Sequence, residues 1–209
     1  MGSIGPTSNI GTGGATPAPP TPILEFYDKL TPTDNAYIDT DYIPTVDSKF
    51  VVHIKRPNYN GCCIYSNSKP NKTDGIRFLL SLSVPYISFG ASRVQNPTLN
   101  DLELNIIHEH TQYLTINGNS DTYTTSVGGY YINEPLTIFS DYYNRSAHGS
   151  MSYFNKNSLY SFKIYENDVL VRDFKPCTYN GVAGLWDEVE SKFYGNSNSV
   201  GTLTASNDS

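Results

Sequence analysis

The feature that most limits this fold is a period of two. From about residue 23 to residue 204 the chain falls into short segments in which apolar and polar positions alternate, with turn residues between them. In KFVVHIKR, Phe50, Val52 and Ile54 share one face while Lys49, Val51, His53 and Lys55 take the other. Ile76, Phe78, Leu80 and Leu82 do the same in GIRFLLSLS, and Leu102, Leu104 and Ile106 alternate with Glu103 and Asn105. Successive strand residues point to opposite faces, so this pattern buries one side of a sheet. A helix needs apolar residues three and four apart over ten or more positions, and no segment offers that. Asn117-Gly118, after QYLTI, is a strong hairpin turn. YSFKIYENDVLVRDF reads as strand, Glu166-Asn167-Asp168 turn, strand. One face of that hairpin is expected to carry Tyr160, Phe162 and Ile164 against Leu170 and Phe174, with Arg172 and Asp173 paired near a sheet edge. Together these features predict an all-β antiparallel sandwich.

Composition narrows the possible roles. Charged residues make up 16% of the 209 positions and the net charge is −6. Nucleic-acid affinity rests largely on cations that neutralise phosphates, so neither a nucleic acid nor an anionic membrane surface is an expected partner. No stretch approaches the ~18 apolar residues of a spanning helix, so membrane insertion is not expected. No basic and apolar leader precedes the body, which predicts synthesis in a cytoplasm. Cys62, Cys63 and Cys177 form neither a disulfide framework nor a metal spacing, and are expected as small buried hydrophobes. Residues 1–22, MGSIGPTSNIGTGGATPAPPTP, have almost nothing to bury and are read as a flexible tether. The body is expected over 23–204 and a frayed tail over 205–209.

Two segments carry a resemblance. The first is NAYIDTDYIP at 35–44 with the strand that follows. The second runs from LYSFKIYEN at 159–167 through LVRDFKPC at 170–177 and GVAGLWD at 181–187 to KFY at 192–194. Together they resemble the concanavalin A-like, laminin G-like jelly-roll domains of phage virion proteins and gut-bacterial surface proteins. Trp186 replaces the more usual Tyr, and Asp41 stands where Gly is commoner. The resemblance spans about 35–195, weakly between 60 and 150. It implies two curved antiparallel sheets of about six or seven strands each. The motif residues themselves are read as structural. Leu185-Trp186-Asp187 is expected to seal the core, with a sugar-stacking role for Trp186 as the alternative.

Few constellations point to catalysis. Retaining glucanases of this superfold need two carboxylates roughly 5 Å apart. The nearest approach, Asp187-Glu188-Val189-Glu190, places Glu188 and Glu190 on one strand face without a central Asp partner, and reads as a solvated charge run. His108 and His110 would share a face, but no third zinc ligand is evident, so an exposed strand end is expected. Calcium is left open: Asp34, Asp39, Asp41 and Asp47 lie in loops but match no family motif.

The most suggestive chemistry is polar-aromatic. With 17 Tyr in the chain, Tyr130-Tyr131 and Tyr142-Tyr143-Asn144-Arg145 stand out, and Asn58-Tyr59-Asn60-Gly61 is similar. Tyr offers a flat face to sugar C–H groups and a hydroxyl to hydrogen-bond, while Asn and Arg supply directed donors. Tyr130, Tyr131, Tyr142, Tyr143, Asn144 and Arg145 are the expected carbohydrate contacts. The expected function is a non-enzymatic phage virion surface protein, a fibre, decoration or receptor-binding head. It would bind host-surface glycan and join other virion proteins through its tether, with homo-oligomerisation left open. The alternatives are a carbohydrate-binding module of a bacterial cell-surface protein and, behind it, a glycoside hydrolase.

Overall fold

The computed structural model describes residues 21–33, 35–56, 62–67, 75–81, 84–89, 92–95, 101–109, 113–122, 133–140 and 157–208. Among them are seventeen strands and no helix. In chain order these are β1 Leu24–Phe26, β2 Lys29–Pro32, β3 Ile38–Asp39, β4 Ser48–Lys55, β5 Cys62–Ser66, β6 Ile76–Ser81, β7 Val84–Phe89, β8 Ser92–Gln95 and β9 Glu103–Glu109. There follow β10 Tyr113–Ile116, β11 Asn119–Thr122, β12 Thr137–Ile138, β13 Ser158–Glu166, β14 Val169–Tyr179, β15 Val182–Asp187, β16 Lys192–Gly195 and β17 Leu203–Ser206.

They form two antiparallel sheets. The large sheet has the order β11-β10-β9-β4-β13-β14-β15-β16, with β1 on β14 and a β2–β17 pair on β13; the small sheet has the order β3-β12-β5-β6-β7-β8. Consecutive strands β4 and β5 lie in different sheets. Strand β4 is flanked by β9 and β13, and β5 by β6 and β12. This non-local interleaving makes the sandwich a jelly roll. The large sheet reaches eleven strands because the short terminal strands β1, β2 and β17 add to it. At the other rim, β16 is laced to β3: Ser197 N donates to Tyr37 O at 2.8 Å and Asp39 N to Ser197 Oγ at 2.9 Å.

Alternation builds the core as expected in β4, where Phe50, Val52 and Ile54 are buried. Tyr65 of the small sheet inserts between Phe50 and Phe162 of the large one, with ring centroids 5.1 and 5.3 Å apart. Each such ring buries enough surface to contribute about 1.5–3 kcal/mol. Asn117-Gly118 and Asn167-Asp168 close hairpins with positive φ at both positions, and so does Asn180-Gly181 between β14 and β15. These are the backbone signs of the turns that match strand twist.

Several expectations are corrected. His108 is not an exposed strand end. It continues the inward series Leu104, Ile106, His108, is fully buried, and its Nδ1 meets the Tyr65 hydroxyl. His110 lies outside the described residues. A bulge between Leu159 and Ser161 turns Leu159 inward, so Tyr160 faces out rather than joining Phe162 and Ile164. A second irregularity after Ile164 leaves Leu170 part-buried and packs Val171 on the core in its place. The chain end is not frayed at Ala205. Strand β17 pairs with β2 from Leu203↔Pro32 to Ser206↔Lys29, because Leu203 and Ala205 pack on the core while Asp208 ion-pairs with Lys29 at 2.6 Å.

Arg172 and Asp173 do not pair with each other, and β14 is no edge. As strand neighbours they point to opposite faces: Asp173 meets Lys163 at 3.1 Å, while Arg172 turns inward. There it lies 3.4 Å from Asp187, 2.6 Å from Glu190 and over the Tyr42 ring. Asp187 is completely buried, and its Oδ1 accepts the backbone N–H of Asp173 and of Val189, each at 3.0 Å. The Tyr194 hydroxyl lies 2.7 Å from Asp41 and 3.0 Å from Glu190, and Lys192 pairs with Asp41 at the surface. The two segments that carry the resemblance therefore meet in one polar knot.

Two predictions follow from that knot. Arg172→Met leaves Asp187 buried without its cation and should cost about 3–5 kcal/mol in urea unfolding, whereas Lys192→Met removes a half-exposed pair and should cost under about 1 kcal/mol. Partial burial alone would raise the Asp41 carboxyl, but hydrogen bonds from Lys192 and Tyr194 outweigh it and hold the group below its ordinary value of 3.8. A depressed carboxyl stabilises the fold above the unfolded value, and this contribution is lost as pH falls through the folded value. Asp41→Asn should therefore be less stable at pH ~7 and lose less stability than wild type between about pH 5 and 2.

Candidate functional site

The solvent face of the large sheet gathers side chains that are far apart in sequence. One cross-strand row carries Asn105 opposite His53, and His53 opposite Ser161. Ser161 and Lys175 sit one residue beyond the paired Phe162 and Phe174, and the row continues as Lys175 opposite Trp186 and Trp186 opposite Phe193.

The first half of the row is polar with a ring pair in it. The His53 imidazole stacks on Tyr160, centroids 4.7 Å apart and planes 28° apart, and its Nε2 lies 2.8 Å from Glu103 Oε1. The Tyr160 hydroxyl donates to Asp208 at 3.0 Å, so the C-terminal segment holds this ring in place. Beside Glu103 lies an open depression of about 840 Å³ lined by Asp101, Leu102, Glu103, Asn105, Asn117 and Gly118. Its floor is preset by one side chain. Asn117 Oδ1 accepts from Asn105 N at 2.8 Å, and its Nδ2 donates to Asp101 Oδ2 at 2.8 Å and to Glu103 O at 3.0 Å.

The second half is aromatic. Tyr179 stacks with Trp186 at 6.0 Å and with Phe193 at 5.4 Å, each pair of planes 26° apart. The rings converge where side chains are missing. Gly184 pairs with Gly195, and a Cβ on Gly184 would stand 2.7 Å from the Phe193 ring and 2.4 Å from Tyr194 O. Cys177, opposite Gly184, is fully buried, and burial pushes its thiol up to about 12. Trp186 does not seal the core. Leu185 and Asp187 point inward beside it, so Trp186 is turned to the solvent side and is only half-buried.

The expected contacts Tyr130, Tyr131, Tyr142, Tyr143, Asn144 and Arg145 lie outside the described residues, as do 58–61. In the 187–190 run, Glu188 and Glu190 are exposed, as expected of a solvated charge run, and pair with Lys175 at 2.5 Å and with Arg172 at 2.6 Å; Asp187, the last residue of β15, is the exception and is buried. Of the aspartates considered for calcium, Asp34 lies outside the described residues, Asp39 ends β3 rather than lying in a loop, and Asp41 contacts Lys192 and Tyr194; among the described residues no three His, Cys, Asp or Glu side chains are grouped. His53, Tyr160, Glu103 and Asn105 escaped selection as a set because only strand register brings them together.

No family model and no curated protein matches the chain. Among solved structures, it is similar to the LG4-5 domains of the mouse laminin alpha1 chain, with a TM-score of 0.41 and 11% identity over 85% of this chain and 52% of that one. It thus spans about half the length of that laminin chain. It is also similar to the native heptameric SAP-like pentraxin from Limulus polyphemus, with a TM-score of 0.46 and 11% identity over 88% of this chain and 94% of that one. Both neighbours have concanavalin A-like jelly-roll folds.

The buried, protonated Cys177 yields a direct check. At pH ~8 a thiol reagent should label the Cys177 peptide only at the rate of unfolding, and at once in denaturant, as read by mass spectrometry. Rapid native labelling would mean that the aromatic half does not cover this part of the sheet.

Proposed function

We propose that this chain is a non-enzymatic carbohydrate-binding jelly-roll module that serves as a surface head of a phage virion. The observation that carries the binding reading is the His53–Tyr160 ring pair beside a depression whose amides and carboxylates are already fixed. A ring face accepts the apolar side of a sugar, and the neighbouring Asn105 amide with the Asp101 and Glu103 carboxylates offers donors and acceptors to its hydroxyls. Preset hydrogen-bonding groups reduce the ordering cost of binding. The virion setting draws its support from the motif resemblance and from the Gly- and Pro-rich residues 1–22, which suit a tether to other virion proteins. Host-surface glycan is the partner this reading names. Binding rather than hydrolysis is favoured because Asp187, Glu188 and Glu190 are each held in an ion pair.

The test is a glycan array with the intact chain, with and without calcium. Specific binding is expected, and Tyr160→Ala and Asn105→Ala should each weaken it about tenfold, a loss near 1.4 kcal/mol. An array without specific binding, or binding indifferent to both substitutions, would overturn this site.

A further inference from the structure

The polar and aromatic halves of the solvent face are not separate patches, because they occupy one cross-strand row. From Asn105 on β9 to Trp186 on β15 the row crosses β4, β13 and β14, a span of about 20 Å at the ordinary inter-strand spacing. That is longer than one or two sugar rings. We propose that the ligand is an uncharged oligosaccharide of several residues, lying across the strands with one end in the Asp101–Asn105–Asn117 depression and the other on the Tyr179–Trp186 rings. This rests on the carbohydrate reading above and adds chain length, orientation and charge to it.

Three observations support the choice of occupant. Ring faces lie at both ends of the row, His53–Tyr160 at one and Tyr179–Trp186–Phe193 at the other, so apolar contacts recur along its length. The far rings are also held in place. Phe193 rests over the Gly184–Gly195 backbone, and Tyr179 lies near-parallel to both Trp186 and Phe193. Finally, Lys175 in the row is paired with Glu188 and Lys163 beside it with Asp173, while the depression end carries the carboxylates of Asp101 and Glu103. A row whose cations already have anions has little to offer a polyanion and suits a neutral chain of hydroxyls.

The experiment is titration calorimetry of the full chain with gluco- and manno-oligosaccharides of two to six residues, and with oligogalacturonate of matched lengths. At least one neutral series should gain tenfold or more in affinity from two residues to six. Trp186→Ala should cancel that gain, and Trp186→Phe should restore part of it. Affinity that is flat with length, a Trp186→Ala variant that keeps the gain, or tighter binding of oligogalacturonate would overturn the extended neutral site, yet leave short-chain binding standing. Failure of every neutral probe to bind at any length would overturn this proposal, and the array result would then decide the carbohydrate reading separately.

Discussion

The contact on which the rest of the large sheet depends is the buried pair of Arg172 and Asp187. Two charges taken out of water do not by themselves stabilise a fold, because desolvation offsets their attraction. Once Asp187 is inside and accepting two backbone N–H groups, however, the fold depends on Arg172 staying opposite it. The pair lies on the inward faces of β14 and β15, which also carry the buried Phe174 and Leu185. With Leu185 and Asp187 turned in, Gly184 and Trp186 must turn out, and Lys175 and Phe193 flank Trp186 on its neighbouring strands. The inner polar knot and the outer aromatic platform are thus two sides of one register choice.

Much of the fold was legible in the sequence because alternation is a local property. Phe50, Val52 and Ile54 could be assigned inward from eight residues alone, and Asn117-Gly118 marked its own turn. Errors came where one residue changes the count or where chemistry opposes the pattern. A bulge at Tyr160 has no strong local signature, yet it flips every side chain before it. His108 obeys the alternation perfectly well, but its polarity suggested solvent; the Tyr65 hydroxyl from the opposite sheet meets the inward imidazole at Nδ1. The last strand was hidden by composition, since Leu203 and Ala205 are the only apolar residues among Ser, Thr, Asn and Asp after Gly201.

The candidate site was much less legible. His53, Glu103, Tyr160 and Asp208 meet across gaps of roughly fifty residues each, which depends on strand order rather than on any motif. Trp186 stands out by residue type, but its outward direction follows from its place between the buried Leu185 and Asp187. Local density of Tyr and Asn instead drew attention to 130–131 and 142–145, where residue type alone says nothing of register.

The central claim is that the solvent face of the large sheet is the sugar-binding face. Amide chemical-shift mapping of the isotope-labelled full chain, titrated with a neutral hexose oligosaccharide, tests it most directly. The account predicts perturbations at Asn105, His53, Ser161, Lys175 and Trp186, running as a line across β9, β4, β13, β14 and β15. Saturable binding whose perturbations cluster only in residues 123–132 and 141–156, with that row unmoved, would contradict it.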